Sequence, residues 1–100
     1  MIIEREGIAV TLQAFAKRHG LSMYVTRHCD GRYTATFEGT ATWRSGSFFY
    51  DKGEGTSEVE AIQDYVRKIS LTRLIIDPSE TYSREVSVPT LIPEWQETEA

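Results

Sequence analysis

Apolar and polar positions along this chain follow two different periods, and the clearest helical run lies between Gly53 and Ser70. There Val59, Ile62, Val66 and Ile69, with Tyr65 beside them, recur at three- and four-residue intervals and line one face. Glu58, Glu60, Gln63, Asp64, Arg67 and Lys68 fall largely outside it. Ser57 and Glu60 stand at capping-box spacing, the hydroxyl placed to accept the Glu60 N–H and the carboxylate to reach back to the N–H of Ser57. Acids lead this helix, Arg67 and Lys68 close it, and Asp64 with Lys68 forms a favourable pair four residues apart. A shorter helix is expected upstream. Thr11 is its N-cap, Leu12, Phe15, Ala16 and His19 share a face, and Gly20 is placed for a left-handed stop.

From Leu21 the period becomes two. Met23 and Val25 alternate with Tyr24 and Thr26 up to a tight turn at Asp30-Gly31. The next strand alternates Tyr33, Ala35, Phe37, Gly39, Ala41 and Trp43 against a threonine-rich set that includes Thr34, Thr36, Thr40 and Thr42, which predicts one covered and one wet face. A bulge at Gly39 would reverse the register and move Trp43 to the other side. Ser45-Gly46 makes the following turn, and Ser47 to Asp51 a third strand. Thr72 to Asp77 and Arg84 to Val88 read as one or two further strands, separated by Pro78-Ser79. Residues 2–10 read as a short lead segment. The fold class expected is α+β: helix, three-stranded antiparallel sheet, helix, then one or two strands, with both helices on one sheet face. One globular domain over 1–89 is followed by an acidic tail over 90–100, from which Leu91, Ile92 and Trp95 are able to dock.

Composition fits a soluble globular domain, with 40 % hydrophobic and 26 % charged residues. No apolar run approaches the roughly 20 residues of a membrane span, so no membrane association and a cytoplasmic location are expected. A single cysteine, Cys29, excludes an internal disulfide and agrees with a reducing compartment. The formal net charge of −4 argues against non-specific contact with nucleic acid and favours a partner with a basic surface.

His28-Cys29-Asp30 is the only constellation with nucleophile chemistry, and neighbours in a tight turn point apart instead of converging on one reacting atom. Neither histidine has zinc-ligand spacing. No catalytic, metal-binding or cofactor-binding residue is assigned, and no cofactor is expected. Gly53-Glu54-Gly55-Thr56-Ser57 with Ala61 resembles the glycine-serine opening of the second helix in double-stranded RNA-binding domains, whose element order this chain also resembles. In that family two lysines after the serine grip phosphates, whereas Glu58 and Val59 stand here, so the resemblance implies topology and not RNA binding. The glycines are then read as making a turn and Ser57 as the cap. Arg27, Arg32 and Arg44 are the basic side chains around the open sheet face.

Thr11-Leu12, Phe15-Ala16, His19-Gly20-Leu21, Gly53-x-Gly55-Thr56, Ala61-Ile62-x-Asp64-Tyr65, Leu74 to Asp77 and Arg84-Glu85-Val86-x-Val88-Pro89 together resemble small proteins encoded by phages and prophages. Several such proteins disable host defence complexes of the CRISPR-Cas type. The resemblance implies a non-enzymatic inhibitor that binds a host protein or ribonucleoprotein. The residues expected at the contact are Asp51, Glu54, Glu58 and Glu60 at the acidic turn and helix start, Thr34 and Thr36 on the sheet face, and Trp95 on the tail. A homodimer is compatible with these surfaces, and a nucleic-acid-binding or regulatory module of the duplex-RNA-binding type is the alternative.

Overall fold

The computed structural model describes residues 10–78 and 81–95. Their order is β1 (Val10–Thr11), α1 (Leu12–His19), β2 (Met23–Arg27), β3 (Tyr33–Phe37), β4 (Thr40–Arg44), β5 (Ser47–Phe49), β6 (Gly53–Gly55), α2 (Glu58–Ile69), β7 (Arg73–Ile76), β8 (Arg84–Ser87) and β9 (Leu91–Ile92). The class is α+β with two helices, but the strands form three sheets in place of the expected one. β2-β3-β6 and β5-β4-β7-β8 are antiparallel, and β1 pairs with β9 in parallel. The lead segment up to Ala9 and the tail beyond Trp95 lie outside the described residues.

Helix α1 forms as its caps dictate. The Thr11 hydroxyl accepts the Ala14 N–H at 3.1 Å, and Gly20 closes the helix at φ 69°. In α2 the Ser57 hydroxyl accepts the Glu60 N–H at 3.1 Å. The Glu60 carboxylate reaches one residue further back than the box predicts, to the N–H and hydroxyl of Thr56 at 2.9 and 2.7 Å. Ile62, Tyr65, Val66 and Ile69 are buried as the stripe requires, and so is Ala61, but Val59 is 62 % exposed. Periodicity placed Val59 on the stripe; it could not show that the first turn of α2 leaves this side chain in solvent.

The expected long strand breaks at Glu38-Gly39. Gly39 turns at φ 73°, and its carbonyl accepts the Asp77 N–H at 2.7 Å, so the chain leaves the first sheet and enters the second. Ala35 and Phe37 face the core before the break, and Thr40 and Thr42 do so after it. These two threonines are therefore buried, not wet. The Thr40 hydroxyl donates to the Phe37 carbonyl at 3.0 Å, and that of Thr42 lies 2.7 Å from Asp51 Oδ2, which satisfies both. Ala41 and Trp43 pass to the opposite face, as the bulge alternative anticipates.

The core joins both helices to both antiparallel sheets through Leu12, Phe15, Phe37, Tyr65, Ile69 and Leu74. Phe37 is its hub: its ring meets Phe15 at 6.3 Å and Tyr65 edge-on at 5.6 Å, and its N–H donates to the Tyr65 hydroxyl at 3.1 Å. Val25 and Tyr33 are half-buried against this cluster. Gly53 and Gly55 belong to strand β6 and not to a turn. A Cβ on Gly53 would lie 2.0 Å from the Ala61 carbonyl oxygen, so the glycines serve close packing of strand on helix. No helix among the described residues is long and apolar enough to cross a membrane.

Candidate functional site

The acidic and threonine side chains expected to meet a partner are mostly engaged within the fold. Asp51 bridges the two antiparallel sheets: its carbonyl accepts from the Thr36 hydroxyl at 3.1 Å, and its carboxylate from Thr42 and, at 3.3 Å, from Arg44. Glu54 lies 3.7 Å from the Arg32 guanidinium. Thr34 sits opposite Glu54 in the ladder and 3.1 Å from His28 Nε2. Glu60 caps Thr56, whose N–H and hydroxyl hold its carboxyl below the ordinary value. Trp95 packs against the core. Glu58 is exposed on the first turn of α2.

Of the arginines around the sheet, Arg32 is paired with Asp30 and Arg44 with Asp51, while Arg27 is exposed. His28, Cys29 and Asp30 diverge: His28 turns to Thr34, Asp30 to Arg32, and Cys29 is exposed. Among the described residues no three His, Cys, Asp or Glu gather as metal ligands.

A different surface concentrates exposed apolar atoms, and the register of β5-β4-β7-β8 builds it. Ladder partners share a face, so Phe48, Trp43, Arg73 and Ser87 align across the sheet, with Ala41, Ile75 and Glu85 in the next row. The opposite face carries Leu74 and Val86 toward the core, so this row is the outer one. The Ser45-Gly46 turn, with φ 51° and 81°, has the mirror-image geometry that suits a two-residue hairpin and brings Trp43 and Phe48 together, ring centroids 5.2 Å apart and edge-on. Arg73 Nε donates to Glu85 across the strands. Two hollows of about 430 and 370 Å³ flank this row and share Trp43 and Arg73. One reaches Leu71 and Val88, the other Phe48, Ile75 and Arg84.

Phe48 is 43 % exposed and Leu71 75 %, although Leu71 also holds a left-handed backbone at φ 64° that glycine would adopt more readily. Sequence reasoning missed this groove because the face of Trp43 depends on the break at Gly39. The signal available was the hairpin itself, whose two-residue turn pairs Trp43 with Phe48. No protein-family model matches the chain, and neither a curated protein nor a solved structure matches it.

Proposed function

We propose that this protein is a non-enzymatic binding domain that contacts another protein through the outer face of β5-β4-β7-β8. The observation that carries this reading is the edge-on Trp43–Phe48 pair beside two hollows that share Trp43 and Arg73, one lined by buried Ile75 and the other by exposed Leu71. Aromatic and arginine side chains around a concave apolar floor are the composition from which binding hot spots are built. The two-residue hairpin turn and the contact between the rings hold Trp43 and Phe48 in place, which lowers the ordering cost of binding there.

The resemblance to phage-encoded inhibitors makes a host defence complex in the cytoplasm the partner within this reading. Its contact is assigned to the aromatic face and not to Asp51, Glu54 and Glu60, because those carboxylates already serve the fold. The test is affinity capture from a bacterial host lysate with the wild type, Trp43→Ala and Phe48→Ser, joined to a defence assay. The expected result is a stoichiometric partner and impaired host immunity with the wild type, both lost by about tenfold or more in each variant. Equal capture by all three would remove the outer face from the contact, and full immunity with every form would defeat the inhibitor reading.

A further inference from the structure

We infer, building on the protein-binding reading above, that the occupant of the outer face is an extended segment of the partner, which adds as a fifth strand to the free edge of β8 and seats an apolar side chain near Trp43 and Ile75. Hydrogen-bond parity locates the edge. The Val88 N–H donates to the Thr72 carbonyl at 2.9 Å, and the Val88 carbonyl accepts the Leu71 N–H at 3.0 Å, so Val88 turns its backbone groups toward the β7 side. Alternation along an antiparallel ladder then turns Val86 and Arg84 the same way and leaves the N–H and C=O of Glu85 and Ser87 on the open side. Both residues are exposed, and no described strand pairs with that edge.

A free edge beside a side-chain groove is the arrangement used for strand addition: main-chain bonds supply affinity, and pockets for alternate side chains supply specificity. The Glu85 and Ser87 side chains stand on the outer face, so a strand paired at their backbones directs every second side chain to the groove side. Pro89 follows two residues later and limits the length of the added strand.

Charge selects the partner's chemistry. Arg44 and Arg73 are already paired with Asp51 and Glu85, so Arg84, which lines the second hollow and donates to the His19 carbonyl at 3.3 Å with no carboxylate partner among the described residues, is the cation an acidic neighbour would meet. The segment that fits carries apolar residues two apart with an acidic neighbour. A phosphate backbone fits less well, because the groove floor is apolar and Glu85 stands within it.

A displayed library of short random peptides, selected on the full chain and counter-selected on Trp43→Ala, supplies the probe. Selected sequences should alternate apolar residues beside an acid, and the synthesised consensus peptide should slow amide exchange at Glu85 and Ser87 in the wild-type chain. Trp43→Ala and Phe48→Ser, checked for an unchanged fold by thermal melting, should weaken that peptide by about tenfold or more. Peptides that depend on Trp43 but leave exchange at Glu85 and Ser87 unchanged would overturn strand addition while the binding face stands. Failure to enrich any Trp43-dependent peptide would overturn the extended segment, and the protein-binding reading would then be decided separately by capture with the same variants. Protection of the two amides on self-association of the free chain would assign the edge to a second copy. Protection by an oligothymidylate strand would assign it to nucleic acid, and either result overturns the peptide proposal.

Discussion

Leu71 occupies a position where the backbone asks for glycine and solvent offers a leucine no burial. The left-handed conformation of a non-glycine residue costs about 1 to 2 kcal/mol, and glycine gives back about half of that gain through its larger unfolded-state entropy. Leu71→Gly is therefore expected to raise stability by about 0.5 to 1 kcal/mol, read as a higher urea midpoint with unchanged slope. Strain retained beside a groove points to use of the side chain there, so the same variant should bind the partner more weakly. Asp64 shows the opposite economy. Burial pushes its carboxyl up, but the Glu54 N–H at 2.9 Å, the Lys68 ammonium at 3.2 Å and Arg67 outweigh this and hold it below the ordinary value. A carboxyl that titrates lower in the folded chain stabilises it above the unfolded pKa, and this stabilisation is lost as pH falls through the folded value. Asp64→Ala should cost about 2 kcal/mol near neutrality, with the gap from the wild type closing in acid when denaturation is followed at both pH values.

At the scale of elements, Gly53 decides whether β6 and α2 can meet. A methyl group there would strike the Ala61 carbonyl and the Tyr65 N–H at 2.0 and 2.3 Å, and these are backbone atoms that no rotamer change moves. Gly53→Ala should destabilise by about 3 kcal/mol or more, enough to lower the thermal midpoint sharply, whereas a turn glycine with the same motif spacing would tolerate alanine if its φ were negative. Both helices were legible from the sequence because capping hydroxyls and a 3.6-residue stripe are local. The strands β7 and β8 were legible as extended segments for the same reason, but their pairing with each other was not. The division of the strands into separate sheets was not, since alternation of apolar and polar residues continues without interruption through Gly39. Thr40 and Thr42 look solvent-facing by type and are buried because the Phe37 carbonyl and Asp51 accept their hydrogen bonds. Asp51, Glu54 and Glu60 are engaged within the fold on similar grounds, while Glu58 stays exposed: sequence reveals a charge but not the guanidinium or N–H that engages it.

For the whole molecule, the balance of charge separates protein recognition from duplex RNA recognition. The chain carries a formal net charge of −4, and the two positions that would carry phosphate-gripping lysines hold Glu58 and Val59, both exposed at the start of α2. Neither side chain contributes to the core, so both can be exchanged without unpacking the helix. Glu60 cannot be exchanged so freely, because it caps Thr56, nor Glu54, which faces Arg32. Wild-type protein should give no mobility shift with a short RNA duplex at physiological salt, since counterion release needs several clustered cations. Glu58→Lys with Val59→Lys removes a carboxylate from that end of the helix and adds two ammonium groups, at a cost of no more than about 1 kcal/mol from the helix dipole. A weak shift that disappears steeply with added salt is expected from this double variant, with its melting temperature close to that of the wild type. A strong, salt-sensitive shift from the unaltered chain would instead place the acidic helix start in tolerable contact with phosphate, and the duplex-binding alternative would displace the protein-binding one.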